Sequence, residues 1–290
     1  MKIGFIGLGQ MGAPMAANLV TAGFEVTGFD VVTAASGGLR QASSAKDAAQ
    51  GMDCVITMLP DGNALQQVAN AIIPHMTKGA LLIDCSTVDV AATRATGDQA
   101  IAAGLGYIDA PVSGGITGAI NATLTFMIGG KDEDVSRAMT LFETMGKKAV
   151  HCGDIGSGQS AKICNNMILG ATMIATCEAF DLADRLGLDR GKMFDVVSTS
   201  SGYSWTMNAY CPAPGIGPTS PSDNGYKPGF AAELMLKDLR LSQQAAEMVD
   251  ADTPMGKMAQ NLYAQFVEVE DGQGKDFSAM LPRFERRQRS

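Results

Sequence analysis

Short β-rich runs alternate with helix-length segments over the first half of the chain. The runs are Ile3 to Gly7, Glu25 to Asp30, Asp53 to Met58, Ala80 to Asp84, Gly106 to Asp109 and Leu124 to Ile128. That rhythm predicts βαβ units and a mostly parallel, doubly wound sheet with both faces covered. Several runs end in a polar residue or a turn, as expected where ligands bind at the carboxyl ends of strands. After Gly158 the character changes. From Ser160 to about Leu186 there is no proline and one internal glycine, Gly170, and Gly187 stands just beyond. The stretch reads as one helix of about 40 Å at 1.5 Å per residue, and, being apolar on most sides in its first half, it is expected to be buried. Further helical segments follow, broken by the Pro- and Gly-rich stretch from Cys211 to Gly229. Thr253 and Pro254 mark a helix start, beyond which Met255, Met258, Leu262, Phe266 and Val269 recur at helical spacing. The pattern therefore predicts an α/β domain over residues 1–158 and an all-helical domain over 159–290, joined by a long helix at about 159–187.

Composition narrows the function. The 290 residues are 46% apolar and 18% charged, a globular balance that excludes disorder and fibre. A net charge of −8 repels polyphosphate, so nucleic acid is not an expected partner. The six cysteines form no CxxC pair, and His75 and His151 are the two histidines, so no zinc-type ligand set is expected and the thiols read as reduced. The charge-free stretch between Lys162 and Glu178 is shorter than the roughly 20 residues of a spanning helix and contains Asn165 and Asn166, so no membrane segment is expected. Only Met1 and Lys2 precede the first apolar run, which leaves no room for a signal or transit sequence and predicts a cytoplasmic or already processed chain. The arginine-rich end, Arg283 to Arg289, reads as a solvated tail.

Gly7-Leu8-Gly9-Gln10-Met11-Gly12 follows the first strand directly and opens a helical segment, Ala13 to Ala22. In that setting the GxGxxG pattern is informative, because the first glycine allows a tight turn, the second lets the backbone approach a pyrophosphate, and the third packs helix on strand. The phosphates then face helix amides. The fold expected is a Rossmann domain. Asp30 ends the second strand eighteen residues past Gly12, where a carboxylate can accept hydrogen bonds from ribose hydroxyls. Val31, Val32 and Thr33 follow, with no arginine for a 2′-phosphate, so NAD is expected over NADP.

Hydride transfer from a carbinol needs a group that takes the hydroxyl proton. His75 and His151 read as surface or packing residues. Lys162, Asn165 and Asn166 lie at i, i+3 and i+4 on one helix face. A lysine and two amides on an otherwise apolar helix are costly unless they face polar partners or a ligand. The alternative is an interdomain hydrogen-bond cluster with Lys162 at a wet helix end. Asp109-Ala-Pro-Val-Ser-Gly-Gly115 is a strand end running into a turn whose hydroxyl and amides could grip a carboxylate, or a turn without function. Lys237-Asp238 could be a simple surface ion pair.

Taken together the motifs resemble those of the 3-hydroxyacid (β-hydroxyacid) dehydrogenase family. The resemblance covers nearly the whole chain and rests on GFIGLGQMGAPMAANL from Gly4, TMLP from Thr57, DCSTVD from Asp84, DAPVSGG from Asp109, GSGQSAKICNNMIL from Gly156 and KDLRL from Lys237. SSGYSW from Ser200, YCPAPG from Tyr210 and PSDNGYKPGF ending at Phe230 look like the branch acting on 3-hydroxyisobutyrate. The resemblance implies a Rossmann domain and a helical domain with the active site in the cleft between them, and NAD-dependent oxidation of 3-hydroxyisobutyrate to methylmalonate semialdehyde, a step of valine breakdown. The same chemistry on L-serine, glycerate or 4-hydroxybutyrate stands as the alternative, ahead of imine reduction or a non-catalytic cofactor-binding role. It further implies that Lys162 is catalytic and that Asn166 orients substrate and lysine. Ser113, Gly114 and Gly115 would bind the substrate carboxylate, with Asn165 and Phe230 also on the substrate side. Beside the glycine loop and Asp30, Leu59, Pro60, Thr87 and Lys237 would contact the cofactor, with no metal, in a homodimer or homotetramer. Near a cationic nicotinamide and partly desolvated, Lys162 is expected to serve as the proton acceptor. Two departures stand out. The family's G-A-x-x-G-T-L reads Gly118-Ala119-Ile120-Asn121-Ala122-Thr123-Leu124, with Ala122 where a glycine is usual, and the segment after Asp30 is short.

Overall fold

The computed structural model describes residues 1–286. Arg287 and Arg289 of the expected solvated tail lie outside the described residues. The chain divides into two compact units, Met1–Lys162 and the remainder from Ile163.

The first unit is built on a nine-stranded sheet: β1 (Lys2–Ile6), β2 (Glu25–Phe29), β3 (Arg40–Gln41), β4 (Cys54–Thr57), β5 (Leu81–Asp84), β6 (Gly106–Asp109), β7 (Val112–Ser113), β8 (Leu124–Gly130) and β9 (Gly146–Gly153). The order β3-β2-β1-β4-β5-β6-β8 places β1 at the point where the chain reverses its direction of growth across the sheet. Ligands of doubly wound folds bind outside the strand ends at such a point. Pairs from β3 to β6 are parallel, β8 runs antiparallel to β6 and β7, and β9 returns parallel to β8. The two-residue strands β3 and β7 escape the periodicity because two positions carry no pattern.

Alternation along the strands sends side chains to two separate cores. Ile3, Phe5, Cys54, Ile56, Leu81, Ile83 and Ile108 join one, whereas Ile6, Val55, Leu82 and Tyr107 join the other. The first core is closed by α1 (Gly12–Thr21), α5 (Gly115–Ile120) and α6 (Asp132–Met145), the second by α2 (Ala45–Ala49), α3 (Gly62–Ile72) and α4 (Val90–Ala102). Strands buried on both faces read as the near-continuous apolar runs seen in the sequence.

The long helix is α7 (Ser157–Arg185), with Gly187 at φ +77° just past its end, as a left-handed C-terminal cap requires. By length and composition α7 could cross a membrane, contrary to the expectation from its charge-free stretch. It nonetheless buries polar Gln159, Lys162 and Asn166 as well as apolar Met173, Cys177 and Phe180. Its first half is not wholly buried as expected, for Cys164, Asn165 and Ile168 are exposed.

The second unit has helices and no strand among its described residues: after α7 come α8 (Arg190–Val197), α9 (Trp205–Asn208), α10 (Ala232–Met248), α11 (Pro254–Ala264) and α12 (Met280–Arg286), with short 3-10 turns and a largely irregular stretch between α9 and α10. Proline opens α11 as expected, and Leu262 and Phe266 of the expected stripe reach the core, but Met255, Met258 and Val269 are exposed and the buried residues of α11 are Gly256, Ala259 and Tyr263. A π-turn over Gln265–Val269 follows, so the 3,4,4,3 spacing of apolar residues does not correspond to one continuous α-helical face. Arg283 also departs from the solvated-tail reading. It is buried, its Nε donates to Glu270 Oε2 at 2.7 Å, and its guanidinium lies 5.4 Å from the Phe284 ring centre. A planar guanidinium paired with a carboxylate tolerates burial that an isolated charge would not.

Candidate active site

At the end of β1, Gly7 adopts φ +97° and donates its N–H to Phe29 O at 2.9 Å. A Cβ there would strike Met58 O, and a Cβ on Gly12 would strike Gly7 O. These two glycines are required by the protein's own packing. Gly9 differs: it is exposed, its φ is not positive, and a Cβ on it would meet nothing within 4 Å. Nothing inside the protein requires a glycine there, so the requirement points outward, to a group that approaches the backbone. The α1 N-terminus beside it has no side-chain cap and no acidic residue in its first turn. An uncapped helix start next to an open glycine fits the pyrophosphate of an NAD(P) dinucleotide.

Gln10 is exposed and Met11 half-buried, whereas the Leu8 side chain belongs to the core and only its backbone serves the loop. That backbone is held by Asp30, whose Oδ2 accepts from Leu8 N at 2.7 Å while Oδ1 accepts from Val32 N at 2.7 Å and Thr33 N at 2.9 Å. Burial pushes the Asp30 carboxyl up, but the three backbone donors outweigh it and hold its pKa below the ordinary aspartate value. Of about four lone-pair sites on a carboxylate, three are engaged. Asp30 thus shapes the glycine loop and keeps capacity for one further hydrogen bond on Oδ2.

Three neighbouring strands end in a polar row, since Thr57 is the register partner of Asp84 and Asp84 that of Asp109. Asp84 is fully buried, and its Oδ1 accepts from Thr57 Oγ1 at 2.7 Å and from Ser86 Oγ at 2.6 Å. Ser86 Oγ in turn accepts from Leu59 N at 2.8 Å. The turn carrying Leu59 and Pro60 and the turn carrying Thr87 are therefore tied to one carboxylate. Sequence reasoning named the turn residues and missed Asp84 and Ser86, although polar residues closing apolar strands were the available signal.

Asp109 accepts from Gly156 N at 2.7 Å and Gln159 N at 2.9 Å, so the carboxylate ending β6 holds the start of α7. Burial pushes its pKa up to about 6, against the pull of those two donors and with the Asp84 charge adding to the rise. Gln159, also fully buried, donates from Nε2 to Ser86 O at 2.7 Å and accepts at Oε1 from Val88 N at 3.2 Å. One turn further on, Lys162 is buried and its Nζ donates to Val112 O at 2.7 Å. Val112 immediately precedes Ser113, Gly114 and Gly115, where Gly114 at φ +129° opens α5. The first unit thus brings Lys162 to the Ser-Gly-Gly turn, and α7's first turn to the turn of Thr87.

In the second unit Asn166 is buried and its Nδ2 donates to Asp238 Oδ2 at 2.5 Å. Asn165 does not share that burial. It is exposed, and its Nδ2 donates to Asn166 Oδ1 at 2.8 Å. Asn165 and Asn166 are adjacent in the chain and so about 100° apart around the helix, which lets one be buried while the other faces outward. Lys237 Nζ lies 3.6 Å from Asp238 Oδ1. Asp238 is buried, so the pair is not the surface ion pair the sequence allowed; the Asn166 amide and the lysine stabilise the carboxylate where water does not reach. Phe230 sits against the apolar core, edge-to-face on Phe277 at 5.6 Å, with its N–H on Asp276 at 3.0 Å.

Residues 2–153 match the family model described as the NAD binding domain of 6-phosphogluconate dehydrogenase, and residues 156–284 that described as NAD-binding of NADP-dependent 3-hydroxyisobutyrate dehydrogenase. The chain is 45% identical over 284 residues to the probable 3-hydroxyisobutyrate dehydrogenase of Mycobacterium tuberculosis, spanning 96% of each. It is 41% identical over 292 residues to the NAD-dependent L-serine dehydrogenase of Pseudomonas aeruginosa, spanning 98% of each. Among solved structures, the Mycobacterium tuberculosis 3-hydroxyisobutyrate dehydrogenase with L-serine is similar at a TM-score of 0.94 and 44% identity, over 97% of this chain and 98% of that one.

Proposed function

The chain belongs to the 3-hydroxyisobutyrate dehydrogenase family, and from that premise we propose that it oxidises the primary alcohol of 3-hydroxyisobutyrate to methylmalonate semialdehyde, a step of valine breakdown. NAD bound at the glycine loop supplies the hydride acceptor. The observation that carries the reading is the hydrogen bond from buried Lys162 to Val112 O, which holds an amine beside a turn suited to a carboxylate.

Lys162 takes the hydroxyl proton at Nζ as the carbonyl forms. Val112 O holds one hydrogen of the same nitrogen and so fixes its direction. The Ser113 hydroxyl and the amides of Gly114 and Gly115 grip the substrate carboxylate, a fixed set of donors that needs no rearrangement during reaction. Asn166, held by Asp238, orients substrate and lysine, with Asn165 and Phe230 on the substrate side. Gly7 to Gly12 hold the pyrophosphate and Asp30 the ribose, while Leu59, Pro60, Thr87 and Lys237 complete the dinucleotide site. The hydrophobic Val31 and Val32 after Asp30 favour NAD over NADP, since neither offers a cation to a 2′-phosphate. Self-association as a dimer or tetramer, which the family resemblance implies, is part of the same proposal.

The likeness to an L-serine dehydrogenase and to a structure solved with L-serine favours, as a second reading, the same chemistry on L-serine. The two acids differ in carrying a methyl or an ammonium beside the carboxylate, so what separates them is whether the pocket pairs a charge or leaves it buried without a partner, and measurement decides which it accepts. Initial rates of nicotinamide reduction with 3-hydroxyisobutyrate, L-serine, D-glycerate and 4-hydroxybutyrate, each with NAD and NADP, test the proposal. The expected result is the highest kcat/KM for 3-hydroxyisobutyrate with NAD. A higher value for L-serine moves the assignment to that acid, and no turnover on any of the four defeats it. Lys162→Met is expected to lower kcat at least about a hundredfold while dinucleotide binding persists, and a normal rate removes Lys162 from the chemistry.

A further inference from the structure

Gln159 belongs to none of the roles assigned above, yet it is fully buried and uses its backbone and both ends of its side chain. Its N–H donates to Asp109 Oδ2 at 2.9 Å, its Nε2 donates to Ser86 O at 2.7 Å, and its Oε1 accepts from Val88 N at 3.2 Å. Ser86 and Val88 flank Thr87. A side-chain amide that pairs with the carbonyl before a residue and the N–H after it acts toward that turn as a strand partner would. Of the uncharged side chains of this length, only glutamine presents donor and acceptor together at its tip.

The same residue stands three positions before Lys162 on α7, and positions three apart are neighbours on a helix surface. Lys162 reaches Val112 O from the next turn. The first turns of α7 therefore hold two loops at the ends of the sheet, one through Gln159 and one through Lys162, with Asp109 fixing the helix backbone beneath them. A displacement of that turn moves the Thr87 turn and the lysine together.

We propose that Gln159 is a positioning residue that sets the Thr87 turn and Lys162 in one frame, so that dinucleotide affinity and turnover depend on it jointly. This rests on the roles of Thr87 and Lys162 proposed above. The test compares Gln159→Met, of similar length but without either hydrogen bond, with the parent protein. Two quantities are measured: the NADH dissociation constant by fluorescence titration, and kcat per folded molecule with the best substrate of the panel. Gln159→Met is expected to weaken NADH roughly tenfold and to lower kcat roughly tenfold to a hundredfold. Parent values of both quantities in folded Gln159→Met overturn the proposal, as does weakened NADH with parent kcat, because the coupling to Lys162 is then absent. If Gln159→Met does not fold, Gln159→Glu serves in its place. It keeps the acceptor for Val88 N and, when ionised, loses the donor to Ser86 O, and the same two quantities are expected to fall. Parent values in that variant overturn the proposal equally. The NADH titration needs no turnover, so a loss of affinity is read even if no acid of the panel is oxidised, and failure of the substrate assignment is told apart from failure of the clamp.

Discussion

Asp109 in the first unit and Asp276 in the second are both fully buried, and each ties together segments far apart in the chain. Asp276 is surrounded by donors. Its Oδ2 accepts from Tyr210 OH at 2.9 Å and from Gly229 N and Phe230 N at 3.0 Å, while Oδ1 accepts from Ser278 N at 3.0 Å and Ser278 Oγ at 2.7 Å. Asp109 accepts from two backbone amides and has Asp84 as its register neighbour on the adjacent strand. Burial consequently dominates at Asp109 and lifts its carboxyl to about 6. A carboxylate that meets five donors is a fastening. One that meets two, beside a second acid and at the root of the helix bearing Lys162, is held in a state that proton concentration can change, a pattern common at functional sites.

Removing the fastening has the largest expected effect. Asp276→Ala leaves five donors without their acceptor, and the expected loss is about 4 kcal/mol or more, read from the shift of the urea unfolding midpoint. A loss below about 1 kcal/mol would mean that water replaces the carboxylate and that the contrast with Asp109 is empty. Asp109→Asn tests the other side. A raised folded-state pKa contributes stability that is complete below about pH 4 and is lost as pH rises through about 6, on the order of 3 kcal/mol in all. Asparagine cannot follow that titration. Its deficit relative to the parent is therefore expected to be several kcal/mol at pH 4.5 and to shrink toward about 1 kcal/mol at pH 7.5; a pH-independent deficit would show that Asp109 does not titrate in this window. The smallest effect concerns backbone strain that no partner offsets. Ala122 sits at φ +52°, the left-handed region that disfavours a Cβ, and Ala122→Gly is expected to raise stability by roughly 0.5–1 kcal/mol, visible as a small rise in Tm.

That φ explains why the family's pattern has a glycine at this position, and it shows how far sequence reading reaches. Local pattern carried most of the first unit: apolar runs of strand length, a glycine triplet directly after the first, and an aspartate at the end of the second. Lys162 and Asn166 stood out for a similar reason, as polar residues on an apolar helix. What escaped depends on pairing across long separations. Asn166 meets Asp238 from 72 positions away, and Gln159 reaches Ser86 from 73; no spacing in the sequence encodes either. Arg283 was misread because charge density at a chain end resembles a solvated tail until Glu270 is seen beside it. Asn165 shares the helical spacing of Lys162 and Asn166 yet is exposed, a difference set by rotation about the helix axis that the spacing does not tell.

The two margins of the sheet bear on the fate of the protein at high concentration. One ends at β3, only two residues long and carrying Arg40, and the other at β9, where Lys147 and Lys148 point into solvent. An open margin with unpaired backbone groups is a template for a foreign strand, and brevity and lysine are two of the ways in which folded proteins refuse one. The nine strands are thus protected at both ends against growth into a larger cross-chain sheet, a safeguard that matters most while the slow, non-local parallel pairings are still forming on the ribosome or after heat shock.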